Sequence, residues 1–327
     1  MRAIVLRQYG DPRSSLSLEE FPTPVLRRGQ VLVKITASPI HPADIAFVAG
    51  NYGIKKTLPT VGGLEATGMV VAHNAGLYGQ YLMGKRVACT APDDGPGAWA
   101  EYMAASAFAC APLRQQTSDE FGATLLVNPL TALAQLDLVR RGGHAAFIQT
   151  AAGSALGKMI ARLAAERGVP LINIVRRADA ADALRGAGTT NVLSSDTPDF
   201  AARLTELADR LKATIAFDAV GGELTEALAA GMPPHGKVLV FGGLSEQPAR
   251  IALPDVIFGD KTIEGFWLPH YIRKVGMLRL LRMIGEVQRL GESRLGTRIL
   301  AKLPLERIGD AVAMQARGTE GKVLLVP

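Results

Sequence analysis

Thr150-Ala151-Ala152-Gly153-Ser154-Ala155-Leu156-Gly157 follows the apolar run Ala145-Ala146-Phe147-Ile148-Gln149 and opens onto a helical pattern from Leu156 to Arg167. A strand, a turn of small residues and a helix, in that order, are what a dinucleotide site requires. Backbone N–H groups and the helix N-terminus must come close to a pyrophosphate there, and side chains would hold it off. The usual G-x-G-x-x-G spacing aligns on Ala152 to Gly157. Only the last glycine is kept, with Ala152 and Ser154 as small substitutes. A turn of small residues also serves plain helix–strand packing, so the reading draws its weight from the surroundings.

Downstream, strands and helices alternate. Leu171-Ile172-Asn173-Ile174-Val175 precedes a helix around Ala178 to Arg185. Ile215-Ala216-Phe217-Asp218 leads to a helix from Glu223 to Ala230, then the strand Lys237 to Phe241. Strands that are apolar throughout and alternate with helices imply a parallel sheet covered on both faces. Thr262-Ile263-Glu264-Gly265-Phe266-Trp267-Leu268 reads as its last strand, and as an apolar edge that a second copy would pair with. Two strands end in glycines, Asp218-Ala219-Val220-Gly221-Gly222 and Phe241-Gly242-Gly243. These loops belong at the carboxyl edge of the sheet, beside the nicotinamide half of a cofactor. The second checkpoint lies about 20 residues past the first turn, where an NAD site places an acid for the ribose. This chain has Arg176-Arg177 instead, which suits the 2′-phosphate of NADPH through charge-assisted bonds.

Upstream, residues 1 to about 115 read as short strands broken by Gly and Pro, with Val31–Ile35, Gly68–Ala72 and Arg86–Cys89 the clearest. The texture changes at Thr117-Ser118-Asp119-Glu120, a helix start. The 327 residues are 48% hydrophobic and 20% charged, which is globular composition and argues for two domains. The N-terminus lacks a signal-peptide pattern and no apolar run reaches ~18 residues, so a soluble cytoplasmic protein without membrane contact is expected. Cys89 and Cys110 are the only cysteines, read as reduced core residues rather than metal ligands. From Gly265 to Arg307 there are nine Lys and Arg against three Glu, a local +6 that equals the net charge of the whole chain. Such a run serves as a solvated helix face or attracts an anionic partner such as a coenzyme A or phosphopantetheine carrier. No nucleic-acid motif accompanies it.

Pro39-Ile40-His41-Pro42-Ala43-Asp44, Gly63-Leu64-Glu65-Ala66-Thr67-Gly68 and Asn128-Pro129-Leu130-Thr131-Ala132, with the nucleotide turn, resemble the medium-chain dehydrogenase/reductase superfamily along essentially the whole chain. The resemblance implies a Rossmann-type doubly wound parallel sheet over 117–268. A β-rich, GroES-like catalytic domain would take 1–116 and 269–327. Zinc-dependent members carry Cys near position 41 and His at 64, whereas His41 and Leu64 stand here, so no metal is expected. Gly50-Asn51-Tyr52-Gly53, Leu58 to Gly63, Ile172 to Arg176 and Gly265-Phe266-Trp267-Leu268 are most similar to the mitochondrial-type 2-enoyl thioester reductases. That likeness implies Tyr52 as the catalytic residue and Arg176 on the NADPH phosphate. Cofactor contacts would come from Thr131, Gly153, Ser154, Ala155, Leu156, Gly157, Arg176, Arg177, Gly221, Phe241, Gly242, Gly243, Phe266, Trp267 and Lys322. His41 and Trp267 would line the substrate pocket. His41 departs from the family's usual asparagine.

The implied reaction is NADPH-dependent, metal-free reduction of an activated C=C bond, with Tyr52 donating a hydrogen bond to the developing enolate oxygen. The substrate would be a small molecule or a thioester linked to coenzyme A or an acyl carrier protein. An NADPH quinone or enone reductase is the nearest alternative. A non-enzymatic NADPH-binding protein is the third.

Overall fold

The computed structural model describes residues 1–318 and 321–327. The chain divides into two compact units, Met1–Pro129 with Ile284–Pro327, and Leu130–Met283. Both cuts lie further along the chain than the expected 116/117 and 268/269.

In the first unit, β1 (Arg2–Leu6), β2 (Leu16–Glu20) and β4 (Thr60–Val61) form an antiparallel sheet in the order β2-β1-β4. A seven-stranded sheet joins β3 (Gln30–Pro39), β5 (Glu65–Asn74), β6 (Arg86–Thr90), β7 (Tyr102–Ser106), β8 (Cys110–Pro112), β15 (Ile299–Pro304) and β16 (Lys322–Val326). Its order is β15-β16-β3-β5-β6-β8, with β7 also pairing β3. Thus the C-terminal strand returns to the N-terminal sheet. Cys89 and Cys110 face each other across β6 and β8, both buried and both free.

Helices α1 (Pro42–Val48), α2 (Gly76–Leu82) and α3 (Asp119–Ala123) belong to the same unit. Ser118 caps α3 by accepting from Phe121 N at 3.1 Å, and Arg86 pairs with Asp119. Those contacts hold α3 in the first unit and move the domain cut past it. Trp99 is fully buried against Gly62 and Gly63. A Cβ on either glycine would sit 2.5 Å from the indole ring, and Gly63 holds φ +90° besides. The Gly62-Gly63 pair is therefore a seat for Trp99, a role its sequence does not announce.

The second unit is a six-stranded, all-parallel sheet of β9 (Ala146–Gln149), β10 (Leu171–Val175), β11 (Val192–Ser194), β12 (Ala213–Asp218), β13 (Lys237–Val240) and β14 (Thr262–Gly265). Its order is β11-β10-β9-β12-β13-β14. Around it run α4 (Val127–Arg141), α5 (Ala155–Glu166), α6 (Ala178–Gly186), α7 (Phe200–Leu211), α8 (Glu223–Gly231), α9 (Leu253–Ile257), α10 (Leu268–Val275) and the start of α11 (Met277–Leu295). The last helix, α12 (Ile308–Ala316), lies in the first unit.

All five residues of β10 are buried, as a central parallel strand demands. Ile148, Ile174, Leu204, Leu228 and Val238 meet in one core. Two expectations change. The strand read over 262–268 stops at Gly265, because α10 begins after Trp267 and Pro269 suits a first helical turn. In addition, α10 stays with the second unit, since Tyr271 Oη donates to Asp137 of α4 at 2.6 Å.

Candidate active site

Because every strand of the second sheet is parallel, the segments leaving β9, β10, β12, β13 and β14 emerge at one edge. That edge gathers 150–157, Arg176, Arg177, Gly221, Gly222, Phe241, Gly242, Gly243, Phe266 and Trp267.

The first turn is built for close approach. Ser154 caps α5 by accepting from Gly157 N at 3.0 Å. A Cβ on Gly157 would lie 2.7 Å from Ala151 O and Ala152 Cα, so the retained glycine lets the helix pack onto the turn. Gly153 differs: a Cβ there would have Val175 Cγ1 at 3.8 Å as its neighbour, which leaves open space over the turn. Ala151 adopts φ +51° without being glycine. Beneath, Gln149 Nε2 donates to Asn173 Oδ1 at 2.7 Å and to Gly157 O at 3.0 Å, tying β9, β10 and α5 together.

Arg176 and Arg177 are both exposed at the end of β10. Arg177 pairs with Asp179 at 2.9 Å, whereas Arg176 has no ion pair among the described residues. The two arginines are thus not equivalent. Phe241 and Phe266 meet edge to face at 6.4 Å, and Arg273 stacks 5.3 Å from the Trp267 ring. Thr131 is buried on α4.

Asp218 was not singled out by its sequence setting. It is fully buried and accepts from Thr150 Oγ1 at 2.8 Å, Thr225 Oγ1 at 2.7 Å, Val220 N at 2.8 Å and Gly221 N at 3.2 Å. Thr150 Oγ1 in turn accepts from Ala219 N at 2.8 Å. One carboxylate therefore fixes the 218–222 loop against the first turn. The only signal in the sequence is an acid that closes an apolar strand just before Gly-Gly. Asp218→Ala leaves two hydroxyls and two N–H groups without their acceptor. It is expected to cost roughly 3–5 kcal/mol of stability and to weaken NADPH binding, read by denaturant midpoint and cofactor fluorescence.

The remaining candidates sit in the first unit. Tyr52 is half-buried just after α1 and packs on the cluster that contains Ile40, Phe47 and Val48. Its loop is pinned on both sides. Asn51 N donates to Ala46 O at 2.8 Å, and Tyr9 Oη bridges the Lys56 backbone, accepting from its N at 2.8 Å and donating to its O at 3.1 Å. Lys56 Nζ donates to Gly95 O at 2.8 Å, and burial brings this ammonium down to about 8.

His41, Asp44, Glu65 and Lys322 form a buried polar quartet. His41 Nε2 lies 2.8 Å from Glu65 Oε2, and Glu65 Oε1 accepts from Leu126 N and Val127 N at the start of α4. Asp44 Oδ2 accepts from His41 N at 2.7 Å, while Asp44 Oδ1 meets no donor within hydrogen-bond geometry among the described residues. Lys322 Nζ donates to Ile40 O at 3.3 Å.

Burial raises Glu65 to about 8 and Asp44 to about 7, and it lowers Lys322 to about 8. It also depresses the His41 imidazole well below its ordinary value, with Lys322 adding to the effect. Burial thus disfavours charge on both members of the His41–Glu65 pair. His41 is held by Glu65, and Lys322 by the Ile40 carbonyl beside them. Asp44 and Glu65 are the members that sequence reasoning missed.

Residues 27–115 match the family described as Alcohol dehydrogenase GroES-like domain, and 155–282 match Zinc-binding dehydrogenase. The mitochondrial enoyl-[acyl-carrier-protein] reductase of Arabidopsis thaliana is 30% identical over 276 residues, which is 83% of this chain and 73% of that protein. Among solved structures, a Mesorhizobium loti protein assigned as an NADPH:quinone reductase is 34% identical, with TM-score 0.93 over 100% of this chain and 98% of that one. A mycobacterial protein solved in complex with NADPH is 25% identical, with TM-score 0.84 over 100% of both chains.

The residues do not fit the zinc of the second family description. Leu64 offers no donor and His41 Nε2 is held by Glu65. Among the described residues no group of three or more His, Cys, Asp or Glu is placed to hold a metal ion. The fold and the NADPH-using relatives agree with the nucleotide edge assembled above. The chain therefore belongs to the medium-chain dehydrogenase/reductase superfamily, within which it is an NADPH-dependent oxidoreductase.

Proposed function

We propose that this oxidoreductase reduces the C=C bond of a 2-enoyl thioester without a metal, and that Tyr52 supplies the hydrogen bond to the thioester carbonyl. NADPH supplies the hydride, which adds to the β-carbon while a proton adds to the α-carbon. The chain's part is to hold the carbonyl and to stabilise charge that appears only as the hydride arrives.

The observation that carries the reading is the setting of Tyr52. Its ring is seated on an apolar cluster and its loop is fixed by Tyr9 and the Lys56 backbone, which is the preorganisation a carbonyl donor needs. A phenol with an ordinary pKa of about 10 keeps its proton at neutral pH. The likeness to mitochondrial enoyl reductases supports the same reading.

In the nucleotide unit, the open space above Gly153 and the N–H groups at the start of α5 would take the pyrophosphate. Arg176 would take the 2′-phosphate. Arg176→Ala is expected to weaken NADPH binding about tenfold while leaving NADH binding unchanged, measured by fluorescence titration of both nucleotides.

A second reading, reduction of quinones, is favoured by the similarity to the Mesorhizobium loti protein. The deciding assay follows NADPH oxidation by metal-stripped protein, with a trans-2-enoyl-CoA and a simple quinone tested side by side. Quinone turnover with no thioester turnover would overturn the first reading.

The proposal includes a symmetric dimer. Strand β14 is the outer strand of its sheet, and beside it Leu253, Ile257 and Phe258 are 70%, 64% and 83% exposed. Pairing β14 with its twin would satisfy the open edge and cover these side chains. A monomeric mass by light scattering at micromolar concentration would count against it.

A further inference from the structure

The corner between α10 and α11 combines two features that rarely share a solvated surface. Met277, Leu278 and Leu281 are 46%, 74% and 54% exposed there. The 21 residues from Gly265 to Gly285 carry Arg273, Lys274, Arg279 and Arg282 and not one carboxylate.

The corner is also rigid. Asp137 of α4 accepts from Tyr271 of α10 at 2.6 Å and pairs with Arg279 of α11, while Arg141 reaches the same carboxylate at 2.9 Å. A single buried aspartate thus carries several cations, and the exposed Lys274 and Arg282 add to the excess positive charge around it. An apolar centre with a charged rim on fixed helices has the anatomy of a protein-docking patch.

We propose that this corner docks the protein that carries the thioester. The partner would be a small acidic carrier, its carboxylates facing Lys274 and Arg282 and its apolar residues covering Met277, Leu278 and Leu281. The inference rests on the thioester reading above. Coenzyme A alone would have no use for three exposed apolar side chains, whereas a carrier presenting its acyl group on a phosphopantetheine arm would use both features. Complementary charge would act mainly on the rate of encounter and would be weakened by salt.

The test compares the whole protein with the variant K274E/R282E and, separately, with L278S. Crotonyl-loaded acyl carrier protein and crotonyl-N-acetylcysteamine serve as substrates, and carrier binding is followed by fluorescence anisotropy. We expect charge reversal to raise the KM and Kd for the carrier by about tenfold or more. L278S should raise them by a smaller factor, and kcat/KM for the small thioester should not change. Added NaCl should weaken carrier binding by the wild type and much less by K274E/R282E.

Carrier parameters that are equal in wild type and K274E/R282E would overturn the docking surface, and turnover of the small thioester in the same experiment would leave the thioester reading standing. Salt-sensitive, Lys274- and Arg282-dependent carrier binding without reduction of either thioester would support the surface and sink the chemistry. Pelleting with phosphatidylglycerol vesicles that depends on Lys274 and Arg282, with the carrier KM unmoved, would assign the patch to a membrane surface instead.

Discussion

Tyr52→Phe is expected to lower kcat for an enoyl thioester by about 10²–10³, the cost of removing one preorganised donor from a developing oxyanion. The substitution deletes the hydroxyl and keeps the ring, so its packing on the apolar cluster should survive. KM should change little, because the lost bond strengthens only as negative charge gathers on the carbonyl oxygen. NADPH affinity should be unaffected.

A quinone gains its electrons with far less need of an acid, so turnover of a simple quinone by the same variant should be close to wild type. The pattern across the two substrates is what matters. Equal losses on both, with a lowered midpoint, would mean that Tyr52 supports its loop rather than the reaction. No loss on the thioester would remove Tyr52 from the mechanism altogether.

Much of the nucleotide unit could be read directly from residue order, since apolar strands and small-residue turns have local causes. The run 171–175 is a strand because it is apolar throughout, and Gly157 is needed because the turn beneath it leaves no room for a Cβ. Helix α7 was passed over, although Phe200, Leu204, Leu207 and Leu211 form one stripe, and so was its neighbour β11, which is only three residues long and gives no periodic signal. The Asp218 and Glu65 networks were not readable. Each joins groups far apart in the chain, Thr150 to Asp218 and Glu65 to Leu126, and no local pattern marks such a bond. The domain cuts moved for the same reason: the Arg86–Asp119 pair and the Tyr271–Asp137 bond link segments that composition alone would separate.

The buried quartet should also give the protein an unusual stability profile. Glu65 and Asp44 titrate in the folded state at about 8 and about 7, above the 4.5 and 3.8 of the free side chains. Groups with raised folded values hold more protons folded than unfolded. Their contribution is therefore whole below about pH 4 and is lost as pH rises toward 8, with a slope of up to about 1.4 kcal/mol per pH unit for each carboxyl.

Lys322 and Lys56 behave oppositely. Their folded values of about 8 lie below the free 10.5, so between those limits the unfolded chain binds more protons and stability rises with pH. The two slopes meet near pH 8, where these groups produce a minimum. Urea midpoints measured from pH 5 to 10 in one buffer series would show it. Glu65→Gln keeps a buried group able to donate to His41 but cannot ionise, so it should make the descending limb shallower, leaving Asp44's share, and leave the ascending one. A wild-type profile that is flat or peaks at pH 8 would mean that the quartet carries its charges in the folded state, with Glu65 ionised beside Lys322. In that case Glu65→Gln would lower stability at pH 7 rather than change the slope.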